Sequence, residues 1–521
     1  MASAGSLFLA ALASADTHLV PSQHKSIQAA IDAASPGDQV IVSAGIYREH
    51  LRLKAGVALR SKGADTKGML GLKRAEETVI KGLATAEGER SSTGVSMAEG
   101  ATLDGFTITG VGTYDHERWK FHHGTRGENQ DHDHIGEYAA PAVGADGVNC
   151  TIVNNIVHHN GHTGIASRGA EGTIVTPLVK NNVCYRNMGG GIGFMGGSSG
   201  VIAGNTCYEN FFAGIGHSRA SPLVENNECH GNVRAGIGIS NGAHPVVRRN
   251  KCYRNRRAGI GIRTGKDTAP VVTDNDCYEN GMAGIGCEDG AAPLIQGNRC
   301  LRNQLAGIGA RGNARPLIMD NECRDNKASG IGFDHCDNGR AVVRNNLVID
   351  NAMVAIGIHS GWKVELLENQ LSRQGGLPPI VMIFDGAECD LRGNTISGDG
   401  VAGVRVGGTA HLSNNNINGG TVRKSGPPHF GVWALAGSRV ILSNNEFTSW
   451  RHALHASEAT VTAFDNTAKD FAGTGFLVID PAKPAQVFDN VARSNDPKAV
   501  AVRVEGDGGA VRNNKVLPMK K

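Results

Sequence analysis

Along the middle of the chain, apolar and outward-facing positions alternate in short blocks. In Ala258-Gly259-Ile260-Gly261-Ile262-Arg263 the pattern places Ile260 and Ile262 inward and Gly259, Gly261 and Arg263 outward, which predicts a short β-strand. The block recurs as Ala213-Gly214-Ile215-Gly216 and as Ala306-Gly307-Ile308-Gly309. Each copy follows the phrase N-x-C-x-x-N, seen at Asn205/Cys207/Asn210, Asn250/Cys252/Asn255 and Asn298/Cys300/Asn303. Cysteines at 184, 207, 229, 252, 277, 300 and 323 mark a step of 22 to 25 residues. A fixed period of that length is the signature of a solenoid. Asn250 and Asn255 read as bends where stacked amides bond to one another and to the turn backbone. Cys252 between them faces inward, and Tyr253 faces out.

Outside this block the pattern changes. Residues 26–34 carry Ile27, Ala30 and Ile31 on one face behind Ser26, a helix with its N-cap. Ser35-Pro36-Gly37-Asp38 ends that helix, and Gln39-Val40-Ile41-Val42 is expected as the first strand. Coils follow to residue 110. Residues 111–141 interrupt them with a polar, His-rich insertion, read as a loop. Regular coils occupy 142–360, and looser ones persist over 361–521, beating on Asn394, Asn415, Asn445, Asn466, Asn490 and Asn514. Residues 1–25 form a tail: Ser6 to Leu12 followed by Ala13-Ser14-Ala15 has the form of an export signal without its basic start. The organisation is one solenoid of 17–20 coils, about 80–95 Å long at ~4.8 Å per coil.

The opening Ile27 to Val42, followed by Gly45-Ile46-Tyr47-Arg48-Glu49, resembles the N-terminal cap of right-handed parallel β-helix proteins of the pectin-lyase-like superfamily. There a helix plugs the open end of the solenoid, as the first coil requires. The resemblance implies an all-β, right-handed, single-stranded parallel β-helix with a short capping helix. It also implies polysaccharide chemistry, a lyase or epimerase acting on uronate-containing glycans, in a secreted or periplasmic protein. The superfamily also contains non-catalytic modules, so a glycan- or protein-binding face is the alternative. Periplasmic β-helix proteins linked to copper centres are a further relative.

Composition adjusts this picture in three places. The 72 glycines of 521 residues follow no collagen period and fall in the A-G-I-G blocks and turns. Net charge is +3 with no long basic run, which gives no footprint for nucleic acid. No apolar stretch is long enough for a membrane span. The eleven cysteines are mostly set by the repeat period and read as buried small hydrophobes rather than a disulfide ladder, with a soft-metal site as the lesser alternative.

Candidate chemistry sits in the insertion and on the outward row. The insertion holds Asp115, His116, Glu117, His122, His123, Asp131, His132, Asp133 and His134, candidates for acid/base catalysis or for a divalent ion, calcium or a transition metal. Asp131 to His134 only loosely matches the D-P-H-D motif of mannuronan epimerases. Trp119, in the same segment, is a candidate sugar contact. The outward row offers Arg168, Arg263, Glu288, Arg311, Asp334 and His359 beside a strip of glycines on which an extended ligand would lie flat. Tyr185, Tyr208, Tyr253 and Tyr278, with His230 between, form an outward ladder that stabilises by stacking or offers a platform. His217 is expected to face the core as a structural histidine.

Overall fold

Each coil contributes three short strands, and the coil at residues 246–263 shows the plan. Val246–Arg248 belongs to a first sheet, Lys251–Tyr253 to a second and Ile260–Arg263 to a third; Val271–Thr273 then begins the next coil on the first sheet. All pairings between named strands are parallel and in register, with Cys252 on Cys277 and Gly261 on Gly286. Among the described residues the first sheet has 20 strands, and the other two contain 19 and 18. The computed structural model describes residues 15–64, 67–83, 92–125, 140–170, 172–506 and 508–519. Among these, only three helices interrupt the strands: α1 (Ile27–Ala33), α2 (Lys73–Glu77) and α3 (His116–Gly124). None is long and apolar enough to cross a membrane.

The bends explain the asparagines. Arg249 (φ 55°) and Arg254 (φ 52°) take the left-handed conformation that turns the chain sharply, and a buried asparagine follows each. Asn255 Nδ2 donates to Cys229 O at 3.0 Å and to Asn280 Oδ1 at 3.0 Å. Its own Oδ1 accepts from Asn232 N at 3.1 Å and from Asn232 Nδ2 at 3.0 Å. The amide thus satisfies polar groups that water cannot reach, which offsets the strain of the turn. One such ladder runs from Asn155 to Asn514 and a second from Asn160 to Asn351.

Inside the tube the core is one continuous stack of Ile, Val, Leu, Ala and Cys. The seven periodic cysteines are buried and free, aligned coil on coil. Burial pushes the Cys207, Cys229 and Cys252 thiols well above their ordinary range, which keeps the thiolate that a soft metal needs unfavourable.

At the N-terminal end α1 lies as anticipated: the Ser26 side chain accepts from Ala29 N at 3.2 Å, and Ile27, Ala30 and Ile31 are buried against the first coils. A strand at Thr17–Val20 precedes it and pairs with Gln39–Val42, so Gln39–Val42 is the second strand of its sheet rather than the first. Only four residues long and ended by Pro21, that strand offers too little alternation to be read from the chain.

Candidate functional site

The two glycines of A-G-I-G have opposite surroundings. A Cβ on Gly259 would stand 2.7 Å from Gly284 O, 2.8 Å from Asn280 Nδ2 and 3.1 Å from Cys277 Cβ. Gly259 is therefore turned toward the tube and the asparagine ladder, not outward as alternation alone suggests; the residue lies in the bend before the strand begins. Its counterparts Gly214, Gly236, Gly284 and Gly307 are equally crowded. Gly261 differs: an added Cβ would come no nearer than 3.7 Å to anything, and on Gly216 it would meet nothing within 4 Å. Neither has a positive φ. Close stacking and backbone conformation both leave room for a side chain here, yet the row is bare.

That row is the floor of a groove. Glycines 193, 216, 238, 261, 286, 309, 332 and 357 follow one another across the third sheet. Together with its two edges the row bounds a groove of about 880 Å³. The first edge carries Arg168, Arg263, Glu288, Arg311, Asp334 and His359, the outward row expected from the repeat. Arg311 Nη2 donates to Glu288 Oε2 at 2.6 Å, and the His359 ring stacks on Phe384 at 4.0 Å.

The second edge is the part the sequence reading missed. Phe212, Arg234, Arg257, Met282, Leu305 and Met353 line it, one step before the alanine or its equivalent in each block. The Arg234 guanidinium lies 5.1 Å over the Phe212 ring. The signal was available: this position varies from coil to coil while its neighbours repeat. Among the described residues, five arginines and three carboxylates line the groove, a cationic balance.

His217 borders the groove from the core side and is 3% exposed. Its Nδ1–H donates to Gly238 O at 3.2 Å, which leaves Nε2 as the acceptor, without a partner among the described residues. Burial lowers its pKa to about 4, so the ring is neutral near pH 7.

The described start of the insertion, residues 111–125, holds a helix where a loop was expected. Asp115 caps α3, accepting from Arg118 N at 2.9 Å, and Gly124 ends it. These start and stop residues were present in the sequence, but the helix carries only one buried residue, so no apolar stripe announced it. That residue is Trp119, 5% exposed among Met188, Phe211 and Val233. Trp119 Nε1 donates to Glu209 O at 2.7 Å, and Arg186 covers the ring at 4.8 Å. His123 stacks on Trp119 at 4.5 Å, and its Nε2 lies 3.1 Å from Gly231 O; burial, and next the Arg256 charge, lower its pKa. His122 meets Phe211 edge-on at 5.0 Å. His116 and Glu117 are exposed. The helix is thus docked on the turns beside the second edge, with His122 and His123 packed against them. Asp131, His132, Asp133 and His134 lie outside the described residues. Among the described residues, no group of three or more His, Cys, Asp or Glu side chains is placed to hold a metal ion.

The aromatic ladder is real and lies on a different face. His158, Tyr185, Tyr208, His230, Tyr253 and Tyr278 stack along the second sheet with centroids 4.7 to 5.1 Å apart.

The sequence profile described as "Right handed beta helix region" matches residues 142–269, 224–371 and 379–516. A search of curated protein sequences finds no match. Among solved structures, the periplasmic alginate epimerase AlgG aligns at 16% identity with a TM-score of 0.44, covering 68% of this chain and 82% of that one. The Azotobacter vinelandii mannuronan C-5 epimerase AlgE4 A-module aligns at 18% and 0.34, covering 75% and 89%. The Yersinia enterocolitica family 28 exopolygalacturonase aligns at 12% and 0.26, covering 94% and 74%. These are likenesses of fold and assign no activity.

Proposed function

The chain belongs to the right-handed β-helix family, and from that premise we propose that its third face binds an extended acidic polysaccharide and acts on it as a uronate lyase or epimerase. The observation that carries this reading is the open glycine floor. From Gly193 to Gly309 an added Cβ would meet nothing nearer than 3.5 Å, yet every coil there and the two that follow carry glycine, so a flat ligand rests directly on backbone between the charged first edge and the mixed second one.

The edge chemistry suits a uronate. Arg311, one coil before Asp334, neutralises the substrate carboxylate and so acidifies the adjacent C5–H, while Arg263 grips the chain further along. Asp334 and His359 supply a proton acceptor and a proton donor close by. In a lyase the carbanion expels the 4-linked oxygen; in an epimerase it is reprotonated from the opposite face.

The test is Gly261→Leu, which puts a side chain on the floor where an added Cβ meets nothing nearer than 3.7 Å. We expect an unchanged melting temperature and about a tenfold or greater loss of affinity for a uronate polysaccharide. Undiminished binding with leucine in the floor would sink the reading. A non-catalytic module is the second reading, favoured by the engagement of Asp115, His122 and His123 in capping and packing. Binding without any bond cleavage or C5 inversion by NMR identifies it.

A further inference from the structure

The two ends of the groove are built differently. Toward the N-terminus the floor continues from Gly193 through Ala166 and Gly144, so it stays low. Toward the C-terminus the register runs from Gly357 into Met382, then Arg405, then Trp433. These three side chains interlock. The Arg405 Nη1 is 3.4 Å from Met382 Sδ, and its guanidinium lies 5.2 Å over the Trp433 ring. The first edge changes in the same coil, where Phe384 stacks on His359 with the rings 16° from parallel.

The second edge changes there too. Earlier coils pass from ladder asparagine to third-sheet strand in three to five residues, as from Asn255 to Ile260 and from Asn351 to Val354. In the next coil residues 374–379 form an expanded turn, fastened by Arg373. Its Nη1 donates to Gly375 O at 2.5 Å and its Nη2 to Ala352 O at 3.1 Å, and Leu377 projects 61% exposed. Floor, first edge and second edge are therefore raised together, one coil after the glycines stop.

We propose that the groove is closed at this end and receives the terminus of an acidic glycan chain, with the last unit against Met382 and Phe384. This rests on the reading of the groove as a glycan site. The bare floor spans seven coil steps, about 34 Å at ~4.8 Å each, enough for several sugar units behind the terminal one. Arg311, Asp334 and His359 occupy the last three coils before the wall, so the ionisable groups capable of chemistry cluster where the chain stops. Arg168 and Arg263 line the approach. A chain bound through its middle would have to climb over the interlocked side chains, losing contact with the floor.

The experiment uses short oligouronates of the mannuronate, guluronate and galacturonate series, carrying a bulky fluorophore on the reducing or on the non-reducing end, with binding read by calorimetry. One label is expected to cost about tenfold or more in affinity, and the other close to nothing. Two labels that behave alike overturn end recognition and leave the groove reading standing. No binding by any unlabelled oligouronate overturns both. In the double variant Met382→Gly/Phe384→Ala, checked for fold by circular dichroism, the blocked oligomer should recover to within about threefold of the unlabelled one. A folded double variant that still rejects it overturns the assignment of the wall.

Discussion

At the residue scale, the pair Gly259 and Gly261 separates two meanings of one repeated letter. Both sit in the same A-G-I-G block, and alternation assigns both to the outside. Gly259 instead abuts a carbonyl and an asparagine amide, whereas Gly261 faces open space. Alanine at 259 must therefore push the neighbouring coil away, and a melting-temperature drop equivalent to about 1–3 kcal/mol is expected. Alanine at 261 removes backbone freedom from the unfolded chain without a clash, so stability should hold or rise by about 0.5–1 kcal/mol. Urea titrations of the two variants decide it. Equal destabilisation would mean that the floor glycines are structural, and the case for a ligand on them would fail.

At the element scale, what the sequence disclosed depended on repetition. Strand identity, the inward cysteines, both asparagine bends and the capping helix were legible because each follows from periodicity or from a cap such as Ser26. Arg168, Arg263, Glu288, Arg311, Asp334 and His359 were legible as one row because they share a register position. The second edge, with Arg234 and Arg257, was not, since its residues stand in a bend where alternation gives no direction. α3 was hidden because a single residue, Trp119, supplies its docking. The asparagine ladders invite a direct test at Asn255. Asn255→Ala strips Asn232 of its acceptor and Cys229 O of its donor. Each orphaned buried group costs about 1–3 kcal/mol, so the loss should be several times that of Asn514→Ala at the exposed end of the other ladder. Chemical denaturation of both variants measures the ratio; comparable losses would show that the ladder amides are dispensable.

At the scale of the whole molecule, histidines withdrawn from water along the tube set its response to acid. Burial, reinforced by His159, brings His158 to about 4; burial alone does the same for His217, and burial with Arg423 for His429. In the unfolded chain these rings titrate near the ordinary value of about 6.5. Between those limits the unfolded state binds protons that the folded state refuses, so acidification favours unfolding. The stabilisation is complete above about pH 6.5 and is lost as pH falls through about 4. Partnered carboxylates act in the same direction at lower pH, as with Glu225 beside Arg248 and Glu279 beside Arg254, whose pKa values are lowered. The repeat itself supplies the controls. The coil after His158 has Tyr185 in register, and the coil after His217 has Ile239. The double variant His158→Tyr/His217→Ile should therefore keep the fold and flatten the fall in melting temperature between about pH 7 and pH 4.5, measured at constant ionic strength. A slope unchanged by both substitutions would place the acid sensitivity elsewhere in the tube.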